Sequence, residues 1–283
     1  MNNGRKKKHP LFTVLTVAVW FLVILPGVKS FFFDQKSSAI DFNSFNETEE
    51  ELTELIQLEK AQFPEDFIKL KSQWESYSTT WTSTWHMYKP YLHNSISELK
   101  NLDSKTISLP APGNSKTGKK KSSKNLSNAE FWGVVYNIIL ANNKDRLSNL
   151  SSAFTWFQNK NNLSDREILE IIIDFIQEIP YEIPDNYYGI YTPSDVLFRN
   201  AGDCDSKSLL AALILKQLGY ETAIFYSDEY AHAMLGLNVP STGEYKEHNG
   251  KSYFFTEMTA TGWQIGELSP DCSDLKYWNI ISI

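Results

Sequence analysis

An α+β fold is predicted for the C-terminal half of this 283-residue chain, preceded by an N-terminal helical region and a membrane segment. Three observations predict it. The run Gly202-Asp203-Cys204-Asp205-Ser206-Lys207 opens an apolar helix that Gly219 closes. Three stretches with strand-like alternation follow, at 220–226, 231–239 and 250–257. Upstream, apolar residues recur at helical spacing.

Composition bounds the rest. At 42% hydrophobic, 22% charged and 14% aromatic residues, the chain is neither disordered nor fibrous, and its length suggests about two domains. A net charge of −7 and a pI near 5.3 argue against a nucleic-acid binder, which needs a basic face to displace counterions from phosphates. The two cysteines, Cys204 and Cys272, allow at most one disulfide and lack zinc-site spacing, so no metal or organic cofactor is implied.

Taken in order, residues 1–33 are a basic stretch, Arg5 to Lys8, running into the uncharged span 11–28. That pattern fits an uncleaved anchor with its N-terminus in the cytoplasm, or a signal cleaved near Val28-Lys29-Ser30. Both put the remainder outside the cytoplasm. Residues 34–100 read as helical, with Leu52, Leu55, Ile56 and Leu58 before a break at Phe63-Pro64. A second helix then carries Phe67, Leu70, Trp74, Tyr77, Trp81, Trp85 and Tyr88 as an aromatic stripe, read as core or as packing on the next domain. His86 and His93 lack a third ligand and are read as ordinary histidines. Residues 101–128, with five lysines from Lys116 to Lys124, read as a solvated basic linker. Residues 129–283 form the last domain. Its helical lead-in, 129–180, includes the capping box Ser164-Asp165-Arg166-Glu167 and ends at Pro180, and its core is 181–283.

Cys204 falls at a helix start, where unpaired amides and the helix dipole favour a thiolate and where its own amide can face an oxyanion. Asp203 and Asp205 oppose this unless they point away and cap the helix. If residues 240–249 form a loop and Val239 lies opposite Gly250, His232 falls directly opposite Glu257 on one face. Cysteine, histidine and carboxylate then make a thiol-catalysis set: the imidazole takes and returns the thiol proton, and the carboxylate fixes the imidazole. The competing readings are a Cys204–Cys272 disulfide, or a role for His248, Glu267 or Asp271, each expected to be solvated. Trp263 is read as core.

The blocks Gly202 to Leu210, His232-Ala233-Met234-Leu235-Gly236 and Tyr253-Phe254-Phe255-Thr256-Glu257-Met258-Thr259 resemble, in order, the three motifs of the transglutaminase-like superfamily, and bacterial members most. The resemblance spans about a third of the chain. It implies a papain-like core with the cysteine helix packed on an antiparallel sheet, Cys204 as nucleophile, His232 as base and Glu257 as orienting carboxylate. Many members carry Asp at that third position. By the same resemblance, Gln177 is a candidate oxyanion-hole residue. The function expected is a membrane-anchored or exported thiol enzyme acting on amide bonds of protein or peptide substrates, as peptidase, amidase or transglutaminase. The alternative is a membrane-tethered binding module without turnover.

Overall fold

The computed structural model describes residues 67–88, 99, 127–186 and 188–283. The expected membrane segment, the helix before Pro64, His93 and the basic linker up to residue 126 lie outside these. No helix among the described residues is long and apolar enough to cross a membrane.

The aromatic stripe is not a helix. Residues Phe67–Ser76 and Thr79–Tyr88 form an antiparallel hairpin, β1 and β2, with Trp74 opposite Trp81. Tyr77 and Ser78 turn the chain at φ 51° and 57°, the left-handed pair a two-residue hairpin turn requires. Six aromatics and Leu70 at spacings of three and four fit a helix, but the β-branched run through Thr79, Thr80, Thr82 and Thr84 favours pleated strands. The expectation that the stripe packs on the next domain holds for its two described indoles. Trp74 meets Phe175 edge-on at 5.0 Å, and Trp81 meets Phe157 at 5.1 Å.

Three helices follow: α1 (Asn128–Asn143), α2 (Ser148–Asn161) and α3 (Asp165–Gln177). The Ser164–Glu167 capping box starts α3 as expected, and Ser127 and Glu130 make a second one on α1. Within the loop expected between Pro180 and Pro193 to Asn200, Thr192 caps a short helix α4 (Pro193–Arg199) with proline at its first turn. Helix α5 (Cys204–Gln217) is buried nearly all round, because it lies between the sheet and the helices α2 and α3.

The sheet has five antiparallel strands in the order β5-β6-β4-β3-β7: β3 (Glu221–Ser227), β4 (His232–Asn238), β5 (Tyr245–His248), β6 (Lys251–Thr256) and β7 (Asn279–Ser282). Two strands depart from expectation. Residues 240–249 are not all loop: β5 pairs with β6 across Asn249-Gly250, both at positive φ. β7 adds an edge next to β3. The sheet curls until its edges meet, since His248 on β5 contacts Ser282 Oγ on β7 at 2.8 Å and Lys246 Nζ donates to Leu275 O at 3.0 Å. One face packs Ile224, Leu235 and Leu237 on the helices, and the other encloses Phe225, Met234, Phe255 and Trp278. The molecule is therefore α+β, with one helix-covered sheet face and one enclosed by its own curl.

Candidate active site

Cys204 is the first residue of α5, and its position is fixed from before and behind. Asp203 caps the helix, accepting from the Ser206 amide at 3.1 Å and from the Ser206 hydroxyl, and Ser206 Oγ in turn accepts the Tyr191 amide at 2.8 Å. Gly202 packs tightly: a Cβ there would lie 3.2 Å from Val196 and from Ser206, so a side chain at this entry to the helix would press on both. Cys204 is 8% exposed. It donates to Asp205 Oδ1 at 3.3 Å, while the backbone N–H of Ala233 points at the sulfur from β4.

His232 is the first residue of β4, and its Nε2 is 2.9 Å from Glu257 Oε2. The expected direct opposition is corrected in detail. β4 and β6 pair as Leu235 with Thr256 and Leu237 with Phe254, two residues from the expected register. An even slip keeps every side chain on its face, which is why histidine and carboxylate still meet. Glu257 stands one residue beyond β6 and reaches back to the ring. Its other oxygen accepts the Thr259 amide at 2.8 Å and the Thr259 hydroxyl at 2.6 Å. Trp278 packs edge-on to the imidazole at 5.9 Å. Burial acts to raise the Glu257 carboxyl, but the bonds from His232 and Thr259 outweigh it and hold it at about 2. With Nε2 engaged, Nδ1 is the nitrogen left for a proton from elsewhere.

The electrostatics at the sulfur differ from the helix-start expectation. Burial, then Asp205, then Asp203 push the Cys204 thiol well above its ordinary value, against the Ala233 amide. Asp203 turns away to cap, as one branch of the expectation had it, but Asp205 faces the thiol. Burial raises the Asp205 carboxyl too, opposed by donation from the buried Tyr136 hydroxyl and from Cys204. Burial lifts Asp203 to about 6. Cys204 and His232 share no hydrogen bond; the imidazole's charge acts on Asp205, and the thiol touches the residue after the histidine. The thiol thus rests on Asp205 rather than on His232.

Gln177 is not an oxyanion donor here. Its amide nitrogen spends both protons, on Glu257 O at 2.8 Å and Trp263 O at 3.0 Å, and its oxygen accepts the Gly262 amide at 3.1 Å. It clamps the loop that carries Glu257. Lys207, one helical turn after Cys204 and wholly buried, donates to Gln177 O at 3.1 Å and Ile179 O at 2.6 Å, closing the end of α3. Burial lowers it to about 8, against Glu257 and Glu178. Through these two residues the helix that Cys204 opens and the loop that carries Glu257 are tied to one helix end. Farther along, the loop is pinned where Gly243 meets Gly266, a contact so close that a Cβ on Gly243 would lie 2.2 Å from Gly266 O. A cleft of about 590 Å³ lined by Gly243, Thr261, Trp263 and Leu268 borders this loop, but none of Cys204, His232 and Glu257 lines it.

Both cysteines are free thiols, and Cys272 lies in the curled half of the sheet, so the disulfide reading does not apply. His248 contacts Ser282, Glu267 accepts the Gln264 amide at 2.7 Å, and Asp271 is exposed; none joins the site. Trp263 is half-buried rather than core. Tyr136, Lys207, Thr259 and Trp278 escaped the sequence reading. Only Lys207, a lysine directly before the mostly apolar run Ser208 to Leu215, carried a local signal. Asp203, Cys204 and Asp205 are the one cluster of possible metal ligands among the described residues, and the atoms that would ligate are engaged with Ser206, Tyr136 and one another. Comparisons with family models, with curated proteins and with solved structures found no match.

Proposed function

We propose that this chain is a thiol-dependent enzyme acting on amide bonds of protein or peptide substrates through Cys204, His232 and Glu257, in a papain-like arrangement of the transglutaminase-like kind. The observation that carries this reading is the 2.9 Å His232–Glu257 pair at the head of β4, with the amide of the next residue aimed at Cys204. The three motif blocks support it independently.

The chemistry begins with the thiol leaving Asp205 for His232 Nδ1. The sulfur attacks the amide carbonyl carbon, an S–C bond forms, and the thiol proton passes to the imidazole, whose cation Glu257 stabilises. The C–N bond then breaks as that proton is delivered to the departing amine, leaving a thioester. Water or a second amine releases the acyl group. The orphan amide of Cys204, at the first turn of α5, is the donor available to the oxyanion. Because burial and two carboxylates hold the thiol protonated, proton transfer accompanies attack rather than preceding it. The uncharged span 11–28 anchors the chain in a membrane, with the enzyme on the non-cytoplasmic side.

The test is mass spectrometry of a diverse peptide mixture incubated with the full chain, with and without a primary amine. Fragments or amine adducts are expected, lost in Cys204→Ala and His232→Ala and kept in Cys272→Ala. Turnover that survives Cys204→Ala overturns the proposal. One observation favours a binding module instead: the thiol is buried and held high by acidic neighbours. Peptide binding without turnover, indifferent to Cys204→Ala, is the outcome that reading expects.

A further inference from the structure

Residues 180–183 are exposed, and Tyr181 pairs with Gly202, two residues before Cys204. Tyr181 and Gly202 form an isolated parallel bridge: the Gly202 amide donates to Pro180 O at 3.1 Å, and the Glu182 amide donates to Gly202 O at 3.2 Å. In a parallel bridge of this form the residues on either side of Tyr181 serve Gly202, and the N–H and C=O of Tyr181 itself face the other way. Neither group has a partner among the described residues. An open strand edge therefore begins two residues before Cys204 in the paired segment.

Its side chains point to the same use. Ile183 at 70% and Tyr181 at 53% are the two most exposed of the large apolar side chains among the described residues, and they sit two apart, on one side of an extended segment. Burial first, and then the acidic groups at Cys204, Asp203 and Asp205, raise the Tyr181 phenol, which agrees with this edge lying against the start of α5. Glu182, between them, is turned back to accept the Tyr191 hydroxyl at 2.7 Å.

We propose that 181–183 is a docking strand for an extended polypeptide substrate, which pairs its backbone with the Tyr181 N–H and C=O, lays an apolar side chain on Tyr181 and Ile183, and so delivers a neighbouring carbonyl to Cys204. This rests on the thiol-enzyme reading and names its substrate class: an unstructured peptide segment with an apolar residue near the scissile amide, not a small amide or a folded surface. Open edges bind extended chains in this way, main-chain bonds giving affinity and alternate side chains giving selectivity.

The experiment labels the full chain with a short leucine-containing peptidyl chloromethyl ketone, and with isomers in which each backbone amide in turn is N-methylated. Iodoacetamide labelling of each protein normalises for thiol reactivity. One isomer is expected to label Cys204 about tenfold more slowly than the parent, the loss of one hydrogen bond. Tyr181→Pro, which removes both the unpartnered N–H and the phenol ring, and Ile183→Ser are each expected to lower the peptidyl-to-iodoacetamide ratio. Isomers all within twofold of the parent, with both variants at the wild-type ratio, overturn the docking strand, while His232-dependent iodoacetamide labelling leaves the thiol reading standing. A Cys204 that iodoacetamide labels no faster with His232 than without it overturns the thiol reading first, and the docking strand falls with it.

Discussion

At the scale of single residues, the site sets two carboxylates against each other. Glu257 is held ionised by His232 and Thr259, whereas Asp205, buried against Tyr136, keeps the Cys204 proton in place. Replacing Asp205 by Asn removes an anion beside the sulfur and keeps an acceptor for Tyr136. The midpoint of Cys204 alkylation is expected to move to lower pH and the rate at pH 7 to rise, as seen by iodoacetamide labelling across pH; an unchanged midpoint contradicts this electrostatic account. The place of Cys204 at a helix start and the meeting of His232 with Glu257 were legible in sequence because helix caps and strand alternation are local signals. Asp205's orientation was not, because it depends on Tyr136, 69 residues away on another element. Gln177 illustrates the converse: its place beside the site was readable, but its role was set by three backbone groups of the 257–263 loop. Gln177→Leu takes the side-chain partner from all three groups, the Glu257 carbonyl among them buried, and a loss of roughly 2 kcal/mol is expected on chemical denaturation.

Among the elements, the helices were the most legible, since capping boxes and apolar periodicity are local signals. The β1–β2 hairpin was not. Its aromatic spacing satisfies a helical period, and the choice went to the strand through threonine content and through cover that the helices supply. Trp74 shows what that cover contributes: 7% exposed and edge-on to Phe175, it joins the hairpin to α3. Trp74→Ala is expected to destabilise the protein by about 3 kcal/mol in chemical denaturation, and a loss below about 0.5 kcal/mol would show that the hairpin is not part of the cooperative unit. The register of β4 on β6 teaches a narrower point. Overlooking the Asn249-Gly250 turn displaced the expected pairing by two residues, and the face assignment survived only because the displacement was even.

For the whole molecule, the curl of the sheet matters most. Because the sheet closes on itself around Phe225, Phe255 and Trp278, the head of β4 is backed by a rigid aromatic wall, and the histidine cannot drift from its carboxylate without disturbing that core. The full chain is expected to sediment with membranes and to stay there through an alkaline carbonate wash. A soluble chain beginning near Ser30 would instead show a cleaved signal. The central claim is that His232 is the proton acceptor for Cys204. Its most direct measurement is the iodoacetamide alkylation rate of each cysteine in the full chain at pH 7, resolved by mass spectrometry, with and without His232→Ala. The account expects Cys204 labelling to fall at least tenfold in the variant while Cys272 labelling is unchanged. Equal Cys204 rates in the two proteins would contradict it.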